Sequence, residues 1–204
     1  TATGQLTLGD RSYQLTATVL EPPLPKPLLF VDRSRNSIAV NLDAPSQTSG
    51  SGTVTLDFQG GTDPAIQFAG GGRSLRFTVS PGDNQGRFAD ENGAVIRTGT
   101  TAGKIVVSAS LGGVTAVEAI VIEPAVVTFT SAQGVRSPGA MELRLAGFDN
   151  TRTAGKVAYT FFDAAGNTIA PGAIEIDSTA DFAAYFQNSD SDGAFVLRSI
   201  FPVT

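Results

Sequence analysis

Residues 4–23 read GQLTLGDRSYQLTATVLEPP. Tyr13, Leu15, Ala17 and Val19 alternate with Gln14, Thr16 and Thr18. Such period-two alternation marks a strand with one apolar and one polar side. Leu6, Thr7 and Leu8 show the same alternation on the other side of Gly9-Asp10. Gly-Asp between two alternating runs is a hairpin turn. The second strand ends at Glu21-Pro22-Pro23, because proline has no N–H to give to a ladder. An isolated two-stranded hairpin is barely stable in water. The apolar side, Leu6, Leu8, Tyr13, Leu15, Ala17 and Val19, is therefore expected to bind a partner.

The same reading extends along the chain. Ile38, Val40 and Leu42 alternate with Ala39, Asn41 and Asp43. Val54, Leu56 and Phe58 alternate with Thr55 and Asp57, and Met141, Leu143 and Leu145 with Glu142 and Arg144. Turn clusters separate these runs at Gly60-Gly61, Gly70-Gly71-Gly72, Pro81-Gly82-Asp83, Gly112-Gly113 and Asp163 to Asn167. Many short strands at spacings of roughly 10 residues predict an all-β fold of antiparallel sandwiches. Ser178 to Gln187 (STADFAAYFQ) breaks the pattern: a capping residue precedes Phe182, Tyr185 and Phe186 at helical spacing. It is expected to be one short helix lidding the end of a sandwich.

An internal repeat organises the whole. LTATVLEPP at 15–23 is matched by VEAIVIEPA at 117–125, and both come after a strand and a Gly-containing turn. SGSGTVTLDFQGG at 49–61 parallels TAGKVAYTFFDAAG at 153–166. SPGDNQGRF at 80–88 parallels NSDSDGAF at 188–195, and AVIRTGT at 94–100 parallels FVLRSIFPVT at 195–204. Glu21 and Glu123 stand 102 residues apart, half of the 204-residue chain. The expected division is a closing hairpin of a neighbouring module at 1–21, a Pro-rich linker at 22–27, sandwich 1 at 28–123 and sandwich 2 at 124–204. On this frame the second sandwich lacks its own closing hairpin. A Pro-rich stretch favours extended polyproline II. The junction Glu123-Pro124-Ala125 is shorter and should hold its neighbours close.

These residues resemble a family. GQLTLGDRSYQLTATVLEPP is similar to the closing hairpin of secreted bacterial immunoglobulin-like modules of the abnormal-spindle/Hydin type. VNLDAPSQTSGSGTVTLDF, DPAIQF, FTVSPGDNQGRF and IRTGTTAGKI resemble further Ig-like repeats in large surface proteins of soil bacteria. So do GFDNTRTAGKVAYTFFDAAGNTIAPGAIEID and FPVT. The resemblance implies tandem Ig-like β-sandwiches in an extracellular or cell-surface, non-catalytic protein. It transfers no catalytic residue.

Composition narrows the chemistry. The chain has 14 basic and 19 acidic residues, a net charge of -5, and no His, Cys or Trp. Ser-His-Asp and Cys-His nucleophiles, zinc sites built on His or Cys, and disulfides are thereby excluded. An acidic chain with scattered Arg is not expected to bind nucleic acid, and no apolar run is long enough for a membrane helix. Asn188, Asp190, Asp192 and Gly193 have the spacing of half a calcium loop, but Ser199 stands where a bidentate acid is required. A polar turn is the preferred reading, with no cofactor. Asp83, Asp90 and Glu91, with Asn84 and Asn92, read as solvated loop charge rather than a carboxylate pair for glycoside hydrolysis. Gly70-Gly71-Gly72-Arg73 reads as a tight turn rather than a phosphate loop. Lys26, Lys104 and Lys156 read as edge-protecting charges rather than isopeptide donors.

The expected function is structural. The chain is read as a subunit of an extracellular filament or surface array, its partners being copies of itself. The hairpin of one copy fills the gap in the next, head-to-tail and without closure. The alternative is a tandem-repeat adhesin stalk or glycan-binding surface protein, with the same contacts made in cis by adjacent repeats.

Overall fold

The computed structural model describes residues 2–18, 20–90, 94–188 and 192–202. The fold is all-β and antiparallel, with one short helix among the described residues. In chain order, β1 (Ala2–Leu8) and β2 (Arg11–Ala17) form a hairpin, and β3 (Pro27–Asp32) and β4 (Ser37–Leu42) form a second. Then come β5 (Gly50–Gln59), β6 (Gln67–Phe68), β7 (Ser74–Val79), β8 (Arg87–Phe88), β9 (Ile96–Arg97), β10 (Gly103–Leu111) and β11 (Val114–Ile122). The remainder is β12 (Thr128–Ser137), β13 (Ala140–Phe148), β14 (Lys156–Phe162), β15 (Thr168–Asp177), α1 (Thr179–Asn188) and β16 (Ala194–Pro202).

The first unit, β3 to β11, is built around a five-stranded sheet of order β11-β10-β5-β7-β8. Alternation decides which side chains enter its core. Val54, Leu56 and Phe58 of β5 and Ile105, Val107, Ala109 and Leu111 of β10 point inward. They meet Ile38, Val40 and Leu42 of β4 from the opposing hairpin, with Ile66, Phe68, Phe77 and Ile96 filling between. Gly52 of β5 has a packing reason to be glycine. A Cβ there would collide with the Phe77 ring and, at 2.5 Å, with the Ser110 carbonyl oxygen.

The second unit, β12 to β16, has fewer described strands. By the sequence parallels, 153–166 beside 49–61 and 195–204 beside 94–100, β14 takes the place of β5 and the β12-β13-β16 sheet that of β3-β4 and the segment beside them. Opposite β12-β13-β16, however, the described residues provide two strands, β14-β15, where the first unit has five. The parallel between 94–100 and 195–204 is unequal in three dimensions. β16 pairs with β13 from Ala140↔Pro202 to Phe148↔Ala194, whereas in the first unit that edge of β4 carries isolated bridges, Ser37↔Val95 and Asn41↔Gln85.

The helix forms where expected. The Asp177 carboxylate accepts bonds from the Thr179 N–H at 3.1 Å and the Thr179 hydroxyl at 2.6 Å, capping its start. Phe182 and Phe186 are buried with Phe195 and lid one end of the unit. Tyr185 differs from the expectation: it stays partly exposed, its hydroxyl donating to the Ala194 carbonyl at 3.2 Å. The Pro-rich stretch is not a free spacer throughout. Leu24 packs on the first core, and the Lys26 N–H donates to Asp43 at 2.8 Å.

Candidate interaction site

Among the described strands, β1 and β2 pair only with each other. Their register places Ala2↔Ala17, Gly4↔Leu15, Leu6↔Tyr13 and Leu8↔Arg11 on one face, and Thr3↔Thr16, Gln5↔Gln14 and Thr7↔Ser12 on the other. One face is thus wholly polar, and the other carries every large apolar side chain of the two strands. Gly9, at φ 61°, opens the two-residue turn, a conformation that glycine adopts without strain. The expected partner-binding residues Leu6, Leu8, Tyr13, Leu15 and Ala17 are all exposed, the four large ones between 46 % and 65 %. Val19 lies outside the described residues. The alternation of this hairpin therefore has no core beneath it among the described residues.

The complementary feature lies in the second unit. In the first unit β5 is paired on both edges, with β10 and with β7. Its counterpart β14 is paired along one edge, with β15, and no described strand takes the other. Beneath that edge runs an apolar groove of about 320 Å³, between Val127 and Phe129 before and in β12 and Ala154 to Tyr159 leading into β14, with Phe182 at its end. Every residue of β12 is exposed, whereas Leu29 and Val31 of its counterpart β3 are packed on the core. Tyr159, by contrast, is fixed: its ring meets Phe201 edge-on at 4.9 Å and its hydroxyl is 2.6 Å from the Ser199 hydroxyl.

The open edge is held in place by a loop that the sequence patterns do not single out. Asp149 is fully buried. Burial opposes its ionisation, but bonds from the Thr151 hydroxyl and from the N–H groups of Ala154, Thr151 and Thr153 outweigh this and hold its pKa below the usual value. Those bonds set the path of residues 151–154 and so aim Gly155 and Lys156 into β14. The neighbouring Asn150 side chain clamps the short junction: its Oδ1 accepts from the Ala125 N–H at 2.8 Å and its Nδ2 donates to the Glu123 carbonyl at 2.9 Å. Its own carbonyl accepts from the Ala102 N–H of the first unit at 2.8 Å. Arg152 reaches the same unit, donating to the Thr62 carbonyl at 3.0 Å with the buried Asp63 carboxylate 3.9 Å away. Asp-Asn-Thr-Arg between two apolar strands was the available signal, since Asp and Asn organise loop backbone.

Of the other candidates, Asp83, Arg73 and Lys156 make local structural contacts. Asp83 accepts from Arg87 at 2.5 Å and from the Ser80 N–H at 2.8 Å, and the arginine, foremost, lowers its pKa. Glu91, Asn92 and Asp190 lie outside the described residues, as does the Asn188 side chain; no cluster of three or more metal-ligating acids occurs among the described residues. Arg73 ties the glycine turn down, donating to the Ile66 and Asp63 carbonyls. Lys156 stands opposite Asp177 on the β14-β15 ladder, an ordinary cross-strand charge pair. No described helix is long and apolar enough to cross a membrane. Comparison with protein-family models, curated proteins and solved structures returned no match.

Proposed function

We propose that this chain is a structural module of an extracellular filament or surface array, built of Ig-like sandwiches and assembled head-to-tail by hairpin complementation. The hairpin of one copy completes the second unit of the next. The observation that carries this reading is the pairing of two deficits in one molecule. A hairpin exposes an apolar face with no core under it, and a sandwich has an open strand edge over an apolar groove. Exposed edges and apolar patches are ordinarily blunted in soluble proteins; here the apolar face of the hairpin is open, and the β14 edge carries a single charge, Lys156, at its start. Because the hairpin and the open edge are different surfaces, each copy offers one of each, and the contact propagates instead of closing. The acidic, His- and Cys-free composition and the surface-protein resemblance support a scaffold outside the cell rather than a catalyst.

The test is the oligomeric state of the whole chain. Sedimentation velocity should show concentration-dependent growth into open-ended assemblies, and Tyr13→Asp with Leu15→Asp should hold the chain monomeric. Assemblies of unchanged size in that variant would sink the proposal.

A further inference from the structure

Complementation between copies requires a docking register for the hairpin, and the internal repeat supplies one; the register rests on the complementation reading. The first unit holds its own closing hairpin, β10-β11, already docked. Leu8 and Leu111 are each the last strand residue before a two-residue turn. From there, Leu8, Leu6, Gly4 and Ala2 occupy the positions of Leu111, Ala109, Val107 and Ile105, all of which face inward on β10. On the receiving side, Gly52, Val54, Leu56 and Phe58 of β5 correspond to Gly155, Val157, Tyr159 and Phe161. β10 lies on β5 with Leu111↔Gly52, Ala109↔Val54, Val107↔Leu56 and Ile105↔Phe58.

We propose that β1 of a second copy lies antiparallel along the free edge of β14 in this register, pairing Leu8 with Gly155, Leu6 with Val157, Gly4 with Tyr159 and Ala2 with Phe161. The polar face, Thr3, Gln5 and Thr7, turns to solvent, and Leu6 and Leu8 enter the groove between β12 and β14. Side-chain volumes agree with the placement. Opposite the two rings of β14, Tyr159 and Phe161, β1 carries Gly4 and Ala2 where β10 carries Val107 and Ile105, so the larger acceptor side chain at Tyr159 meets a smaller donor. Where the groove runs under Gly155 and Val157, β1 supplies two leucines. A slip of one residue would put Thr7, Gln5 and Thr3 into an apolar groove, and a slip of two would set Leu6 against Tyr159.

The chain has no cysteine, so introduced thiols report contacts cleanly. Gln5, Lys156, Ala158 and Thr160 are all exposed, and single cysteines there leave the core untouched. Gln5→Cys with Ala158→Cys, oxidised under assembling conditions, should give a covalent ladder at multiples of 21.0 kDa on a denaturing gel. Gln5→Cys with Lys156→Cys, or with Thr160→Cys, should lose that ladder. A ladder from a slipped pair alone overturns the register but leaves head-to-tail assembly standing. Assembly with no cross-link from any pair overturns β14 as the acceptor. Cross-linking within one chain, with the mass unchanged, overturns the second copy as occupant. A parent chain that stays monomeric on sedimentation refutes the complementation reading itself, and is told apart from the others by that measurement.

Discussion

Replacing Tyr13 and Leu15 by aspartate removes part of the apolar face that the assembly is proposed to bury. The two residues are 47 % and 54 % exposed in the single chain. A tyrosine side chain carries on the order of 200 Å² of burial, so covering its open half at about 25 cal/mol per Å² contributes about 2.5 kcal/mol. The open half of a leucine contributes about 1 kcal/mol on the same scale. Their joint loss, about 3.5 kcal/mol, weakens each contact roughly 300-fold at 1.4 kcal/mol per tenfold. The figure takes both side chains as fully covered and is an upper value for the burial; each aspartate adds to it a carboxylate that must be desolvated or must keep the interface open. Sedimentation velocity across a concentration series reads the effect directly: the variant should need roughly 300-fold more protein to reach the parent's mean assembly size. The control is internal. β1 and β2 pair with no other described strand, so the main thermal transition, set by the first unit's core, should not move. An unchanged assembly curve refutes the reasoning. So does a large fall in that transition, which would mean that the hairpin is part of the chain's own folded core.

Four further outcomes rest on particular contacts. Asn150→Ala removes the two side-chain bonds that bracket Glu123 and Ala125; losing both should cost about 1–3 kcal/mol and speed proteolysis at that junction while leaving each unit folded. Gly52→Ala pushes a methyl into the Phe77 ring, and the overpacking should lower stability by about 1–3 kcal/mol, read as a fall in the main thermal transition. Asp149→Ala should release residues 151–154 and abolish assembly without disturbing the first unit's transition, as tracked by sedimentation and melting together. Glu142 is held down to about 2, from an ordinary 4.5, first by the Arg198 guanidinium and then by Arg144. Its folded-state pKa is depressed, so its stabilising effect is complete above about pH 4.5 and is lost as pH falls through 2. Melting curves across that window should decline less for Glu142→Gln than for the parent; parallel declines would refute the assignment.

Much of the fold was legible because alternation is a local signal. Val54, Leu56 and Phe58 declare a strand and its inward face without reference to anything else in the chain. The residues around Asp149 were not legible in that way. The value of Asp149 lies in which N–H groups converge on it, and that convergence is a property of the folded loop. The same holds for Asn150, whose partners Glu123 and Ala125 are remote in sequence. The hairpin lies between these cases. Its two faces could be read from the alternation between Leu6 and Ala17, and the turn at Gly9-Asp10 fixed which residues share each face. The repeat led to the expectation of a second sandwich short of its closing hairpin; that the edge left unpaired among the described strands is one side of β14 came from the pairing of strands. Sequence similarity between 49–61 and 153–166 marks the two strands as counterparts but not which neighbours each one has.

The contrast between the two units is what turns an exposed hairpin into an argument. A hairpin with an apolar face can arise at the ragged end of any sandwich and mean nothing. Here the first unit shows what such a hairpin does when it is present. β10 brings Ile105, Val107, Ala109 and Leu111 under full cover, and β3 then finds something to pack on. The second unit has no such hairpin among its described strands. Phe129 and Val135 of β12 stand exposed, and the buried cluster shrinks to Phe182, Phe186 and Phe195 around the helix. A sandwich of this size gains its stability from burial across both sheets, and among the described residues the second unit's buried cluster is much smaller than the first's. The surface that completes the first unit is reproduced at β1-β2, with the polar residues on the side that would face water. A hairpin docked on that groove, from a second copy as proposed or from an adjacent repeat, would cover the exposed apolar face and the open edge together.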